Sequence, residues 1–301
     1  MSLNDPLMGL TFRPARPEDK QRMLEITART WGDDGDYVPE VWDRWLVDPK
    51  GEFTVAEFDG VVVALAKLTW QGEGHWWLEG LRVDPERRLK GVGQAMCDYQ
   101  IELTKKLGGG QVRYMTGIHN DGSHRIAAQA GFRVLARFVE RVAEKLDGPV
   151  EAEVLTHADL DAVWSIACDL GAASGVYVYG WKAFNLTRER LADHLSQGQV
   201  MGVRDHAGSV RAWCLFQVEP DWDRLGFTVL YGTAEGITKL ARAMRTLAAA
   251  NGKGMAEVMT PPHPPVLDAL AAAGYHLEVA PEHLQDTGEH GADVLELVLG
   301  D

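Results

Sequence analysis

Residues 8–143 and residues 150–301 run through strand-like and helix-like segments in the same order, and this echo limits the fold more than any other feature of the chain. The first half opens with a strand near Leu10 to Arg13, then Pro17-Glu18-Asp19 and an amphipathic helix whose apolar side carries Met23, Ile26 and, more loosely, Trp31. A short second helix carries Val41, Trp42 and Trp45. Phe53 to Phe58, Asp59-Gly60 and Val61 to Leu65 read as a hairpin, because Asp-Gly suits a type I′ turn. A strand from about Trp76 to Val83 leads to a long helix with Val92, Ala95, Met96, Tyr99 and Leu103 on one face, ending at Gly108-Gly109-Gly110. Val112 to Thr116 is a strand, Ser123 to Gln129 a helix, and Phe132 opens a last β segment toward Val142.

The second half repeats the order. Glu153 to Asp159 echoes Phe12 to Asp19, and Val200 to Gly208 repeats the hairpin. The helix with Ile237, Leu240, Ala241, Met244 and Leu247 matches the long helix, and Ala273-Gly274-Tyr275 answers Ala130-Gly131-Phe132. Turn residues at Asp147-Gly148-Pro149 mark the junction, so the sequence predicts two related α+β domains, 1–147 and 148–301.

A chain of 301 residues gives each half room for its own core. The start lacks a basic and apolar leader, and no apolar run approaches the roughly 20 residues of a membrane span. Three cysteines, Cys97, Cys168 and Cys214, lie far apart in apolar segments; they read as buried thiols of a cytoplasmic protein, without zinc-site spacing. The net charge of −14 argues against nucleic acid or an anionic membrane as partner. Within that acidic protein Arg82, Arg87, Arg88 and Lys90 form a basic cluster, which points to a bound anion.

The cluster belongs to the most informative stretch, Leu78 to Met96. Pro85 stops a strand that ends at Val83, because proline cannot donate to a sheet ladder. A basic loop with Gly91 and Gly93 then opens directly into a helix, where glycine admits a close ligand and free N–H groups favour phosphate. The spacing fits neither a dinucleotide fingerprint nor a Walker loop.

The run Val83-Asp84-Pro85 followed by Arg88-x-x-Gly91-x-Gly93 resembles motif A of the GCN5-related N-acetyltransferases (GNAT). Asn120, followed by Gly131-Phe132, is similar to the family's Asn…Gly-Phe segment after the fifth strand. The resemblance implies two GNAT-like domains, each a mixed, mostly antiparallel central sheet flanked by helices, with acetyl-CoA as co-substrate in the first. Leu81 and Val83 would offer backbone groups to the pantetheine, and Arg88, Leu89, Lys90, Gly91, Val92, Gly93 and Gln94 would wrap the pyrophosphate. Asn120 would bond the pantetheine arm, with Ser123 assisting. It also implies direct acetyl transfer to an amine, with a base for the amine, an acid for the thiolate and no metal. Glu79 on the fourth strand is the expected base; an exposed strand carboxylate is the other reading, with His75 and water as competitors.

The chain departs from the family at Ala127, where a tyrosine general acid is frequent; His119, His124, Tyr99 and Tyr114 lie nearby in sequence. In the second half the strand–helix junction, Leu230 to Gly236, has glycines but no basic residue, and Glu235 would repel a phosphate. His263, among four prolines, stands at the position of Asn120. That half reads as a degenerate GNAT-like domain. The acceptor is an amine of a small molecule, aminoglycoside-like compound, amino acid or peptide. Trp31 to Glu40 reads as a solvated acidic loop over a tryptophan core or as an amine-binding mouth, and Tyr177 to Trp181 as cleft lining or core. The competing functions are a non-catalytic acyl-CoA-binding sensor and a protein-interaction module.

Overall fold

The computed structural model describes residues 7–30, 35–87, 90–171, 175–218, 222–277 and 289–300. They form two compact units, Met1–Leu135 with Leu295–Asp301, and Ala136–Val294. Each is a mixed, mostly antiparallel sheet flanked by helices, the α+β class expected from the sequence.

In the first unit β1 (Leu10–Pro14), β2 (Gly51–Phe58), β3 (Val61–Gly72) and β4 (His75–Val83) are consecutive antiparallel neighbours, and β5 (Gly110–Gly117) lies parallel to β4. The Asp59-Gly60 turn has φ of 50° and 74°, the positive pair a type I′ turn requires. Helices α1 (Lys20–Thr27) and α2 (Val38–Leu46) bury Met23, Ile26, Val38, Trp42 and Trp45 against Phe53, Val55 and Leu65. Strand alternation sends Ala56, Ala64 and Ala66 into a separate cluster, where they meet Val92 and Met96 of α3 (Val92–Lys106). Helix α4 (Asp121–Ala130) adds Ala127 to a neighbouring cluster with Cys97, Val112 and Phe132.

The second unit takes most of β6 (Arg133–Glu144), followed by β7 (Glu153–Val154), α5 (Leu160–Asp169), β8 (Val176–Tyr179), β9 (Lys182–Asn185) and α6 (Arg188–Ser196). Next come β10 (Val200–Arg204), β11 (Val210–Val218), β12 (Arg224–Gly232), α7 (Ala234–Ala250), β13 (Met255–Thr260), α8 (Pro264–Ala272) and β14 (Gly291–Leu299). Its sheet order is β6-β13-β12-β11-β10-β7, with β12 and β13 parallel. The unit boundary thus falls before the turn at Asp147-Gly148-Pro149. Residues Val139 to Glu144 pair with Thr260 to Met255, which ties them to the later chain, while Leu295 onward returns to the first unit, where Arg113 binds Glu296 at 2.6 Å.

Cys97 and Cys214 are buried, and burial pushes the Cys97 thiol up to about 12. Cys168 is exposed, contrary to expectation, because α5 turns Val163 and Ala167 inward and the next position outward.

The core of the second unit holds a polar chain. His194 Nδ1 lies 2.6 Å from the Gln199 side-chain oxygen, and His194 Nε2 lies 2.7 Å from the Tyr177 hydroxyl. With Gln199 accepting from Nδ1, a neutral imidazole accepts from the Tyr177 hydroxyl at Nε2. Burial lowers the His194 pKa below 6.5. A depressed folded-state value stabilises the fold above the unfolded value and loses that contribution as pH falls through the folded one. The thermal midpoint is expected to drop as pH is lowered from neutral to about 5, and His194→Gln to flatten that drop in a calorimetric pH series.

Candidate functional site

The site begins where β4 parts from β5. Their parallel register runs from His75↔Gln111 to Trp77↔Arg113 and, among the described residues, ends there. On its other edge β4 stays paired with β3 as far as Ala64↔Val83. Lys67 faces Glu79 while Leu65 faces Arg82, so β4 carries an extra residue, a bulge at Gly80 with φ of 68°. A Cβ on Gly80 would lie 2.5 Å from the Trp45 ring. The bulge bends β4 away over a buried tryptophan that leaves space for no side chain.

Beyond the bulge, the Asp84 N–H donates to Val63 O on β3 at 2.8 Å. Strand alternation therefore turns the N–H groups of Val83 and Leu81 to the opposite edge, into the gap. The Leu81 carbonyl already accepts from the Arg82 guanidinium at 3.1 Å, which leaves Leu81 its N–H as the group to offer. The side chains of Leu81 and Val83 pack on the α3 side.

Residues 84–91 connect β4 to α3. Buried Asp84 fixes the turn: its carboxylate pairs with Arg22 and accepts the Glu86 N–H at 3.0 Å. Arg88 and Leu89 lie outside the described residues. Lys90 is exposed, and Gly91, with φ of 98°, is the N-cap of α3; among the described residues no side chain caps this helix. Its first N–H groups thus have no intrahelical acceptor and sit at the positive end of the dipole. Val92 is buried and can contribute only backbone, and Gln94 Nε2 donates to Asp98 at 2.8 Å. Gly93 has a packing reason of its own, since a Cβ there would come within 3.1 Å of Ile126 on α4. Arg82 leaves the expected basic cluster: its guanidinium binds buried Asp36 at 2.6 and 3.1 Å.

Asn120 caps α4, accepting the Ser123 N–H at 3.1 Å, which leaves its amide NH2 to donate. The Tyr114 hydroxyl is held by Ser123 O at 3.0 Å, and His124 Nε2 lies 3.2 Å from Gly117 O. Tyr99 is bound to Glu52 at 3.1 Å and stacks on Phe12. His119 is exposed, and Ala127 is buried with no group to move a proton.

Glu79 is half-buried at the mouth of the gap, accepting from the Thr69 hydroxyl at 2.6 Å. Tyr37 stands beside it. The protein around the phenol, and then the charge of Glu79, push its pKa up to about 12, so it stays protonated at neutral pH. Arg82 lies 5.5 Å from the Tyr37 ring centroid and Trp45 meets the ring edge-on at 6.0 Å. Within the Trp31–Glu40 segment, Asp36 and Tyr37 are packed against Arg82 and Trp45, so at these two residues it is more than a solvated acidic loop; Trp31 to Asp34 lie outside the described residues. His75 binds Gly72 O at 3.3 Å at the far end of β4 from the gap.

The second unit resolves the same features differently. Its β12 also carries a bulge, with Leu215 facing Thr228 and Trp213 facing Tyr231, so Thr228 stands where Glu79 stands. Yet β12 and β13 stay paired up to Thr228↔Met259, and the Thr228 hydroxyl donates to Met259 O at 2.9 Å. Thr233 alone separates β12 from α7, and its Oγ1 accepts the Gly236 N–H at 3.2 Å, capping the helix. His263 is the N-cap of α8, as Asn120 is of α4, but makes no cap bond, and Pro264 and Pro265 remove two N–H groups.

Residues 20–132 match the model of the acetyltransferase (GNAT) family. The histidine N-acetyltransferase of Oreochromis niloticus is 34% identical over 98 residues, 32% of this chain and 29% of that protein, so the match spans under a third of either. Similarity over the whole length is structural. The GCN5-related N-acetyltransferase of Sphaerobacter thermophilus superposes with a TM-score of 0.64 at 14% identity, covering 100% of this chain and 98% of that one. The tandem GNAT protein from the clavulanic acid biosynthesis pathway gives 0.59 at 15% identity, covering 97% and 99%. The GNAT resemblance in sequence is thus confined to residues 20–132, and the full length shares the fold of the tandem GNAT structures.

Gly80→Ala is expected to lose roughly 2 kcal/mol or more in urea unfolding, since the methyl meets the Trp45 ring and the backbone is left-handed.

Proposed function

We propose that the chain is an acetyl-CoA-dependent N-acetyltransferase that holds its co-substrate in the first unit and acylates an amine. One observation carries the reading: the β4–β5 gap opens onto an uncapped, glycine-started helix behind a basic loop, whereas the second unit closes and caps the same place. The residues fit the group. Lys90, with Arg88 from the sequence, supplies charge for a pyrophosphate at the N–H groups from Gly91 to Gln94, and Leu89 completes the loop. The N–H groups of Leu81 and Val83 suit an extended amide chain added along the free edge of β4, with the Asn120 amide and Ser123 at its opposite side.

When bound, the thioester supplies the acetyl group: a new N–C bond forms as the C–S bond breaks. The chain's own work is proton movement and positioning. An amine arrives largely as its ammonium ion, and Glu79, oriented by Thr69, takes the proton directly or through a water. Tyr37, protonated up to about 12, is a hydrogen-bond donor beside it rather than a base. Ala127 gives no acid and Tyr114 is engaged with Ser123 O, so the thiolate takes its proton from solvent or from the acylated nitrogen. Three unpaired cysteines agree with the cytoplasmic location expected of such an enzyme. The similarity to a histidine N-acetyltransferase puts histidine first in an acceptor panel.

The alternative, a non-catalytic acyl-CoA sensor, is favoured by the buried Ala127. Calorimetric titration with acetyl-CoA is expected to show one site per chain, weakened about tenfold in Lys90→Glu, where a charge reversal faces the phosphates. Absence of binding at millimolar ligand overturns both readings. Turnover with any amine separates them: Glu79→Gln is then expected to slow transfer roughly a hundredfold, with acetyl-CoA affinity unchanged.

A further inference from the structure

The second unit has a cleft that the acetyl-CoA reading does not use. It has an inner part over the sheet and an outer part between Trp181 and Trp222, and the outer part encloses about 310 Å³, within the range of small-molecule sites. Its floor is the sheet face that carries Thr228, and the β8–β9 hairpin covers it. Two tryptophans flank the mouth, Trp181 at 49% exposure and Trp222 at 48%. Both are far more open than the tryptophans of the cores, such as Trp42 and Trp213.

Trp181 is also an improbable residue for its backbone. With Gly180 it forms the two-residue turn between β8 and β9, at φ of 56° and 59°, where Gly, Asn or Asp is the ordinary choice. A tryptophan there gains little burial and accepts a conformation that L side chains rarely adopt. Strain held at a cleft mouth points to a role outside folding.

The charged lining selects the ligand. In the outer part, among the described residues, Glu140, Asp223 and Glu257 face one cation, Arg224, which lies 2.8 Å from Glu257 and 3.8 Å from Glu140; the charged residues lining the inner part, Glu257 and Arg224, balance. The described lining of the outer part therefore carries an excess of two negative charges, three carboxylates against one guanidinium, beside indole faces that attract cations. We propose that this cleft binds a small organic cation, an ammonium carried on an apolar body, and does not acylate it. The paired β12–β13 edge and the capped α7 give the cleft no co-substrate beside it. The proposal is independent of the activity assigned to the first unit.

The test is calorimetric titration of the full chain with 2-phenylethylamine, beside 3-phenylpropionate as the anion of the same body. Saturable binding of the amine is expected, with the anion at least about tenfold weaker. Trp181→Asn is expected to weaken the amine about tenfold while raising the thermal midpoint, because asparagine suits the left-handed turn. Glu257→Gln is expected to weaken it similarly, with acetyl-CoA affinity unchanged in both variants. No saturable binding at millimolar amine, or equal binding of the anion, overturns the proposal. So does binding that survives Trp181→Asn and Glu257→Gln but is lost in Glu79→Gln, which would place the amine in the first unit.

Discussion

The first unit depends on a strand pair that stops early. Three residue pairs hold β4 to β5, and beyond Trp77 one edge of β4 has no sheet partner among the described residues. Buried backbone N–H and C=O groups are rarely left unmatched, because losing water without a new bond costs as much as a broken hydrogen bond. An edge left open inside a sheet is therefore either solvated or filled. Several local features keep it open. Gly80 bends β4 over Trp45, Asp84 anchors the following turn to Arg22, and Arg113 holds β5 against Glu296 on its far side. None of these contacts lies in the gap itself, so the opening is a property of the frame and not of the loop.

In the second unit the same frame closes. Its bulge persists at the same register, so a bulge alone does not part the strands. Pairing continues for two further positions, and the Thr228 hydroxyl adds a cross-strand bond where the first unit has the Glu79 carboxylate. Carboxylate and hydroxyl act in opposite senses here. A hydroxyl can be satisfied by one neighbouring carbonyl, whereas a carboxylate is repelled by carbonyl oxygens and turns instead to a donor, Thr69. The helix that follows obeys the same logic. Thr233 accepts from Gly236 and consumes one of the donors that α3 leaves open behind Gly91.

Much of this was legible in the sequence. The Asp59-Gly60 turn, the order of elements in both halves and the glycines opening α3 each follow from local chemistry, and the pairing of Asn120 with His263 as N-caps of α4 and α8 followed from counting back from Gly131 and Gly274. What escaped was set by tertiary contact. Arg82 is adjacent in sequence to a basic loop, yet strand alternation faces it toward Asp36, forty-six residues earlier. Tyr37 carries no motif, and only packing beside Glu79 gives it a place in the site. The unit boundary escaped too, because a turn marks where a strand ends and says nothing of which sheet claims it.

Glycine and tryptophan occupy left-handed positions for contrasting reasons in the two units. At Gly80 and Gly91 the backbone needs a positive φ, and glycine supplies it without strain while leaving room for the Trp45 ring and the Leu7 side chain. At Trp181 the turn needs the same φ, and the sequence places there one of the residues least suited to it. Folding explains the first pair completely. It does not explain the third, because a ring half in solvent returns little hydrophobic free energy for the strain it brings. Selection for a stable hairpin would favour asparagine or glycine at that position. A tryptophan there, at the mouth of a cleft, is what the proposed ligand site accounts for and folding does not.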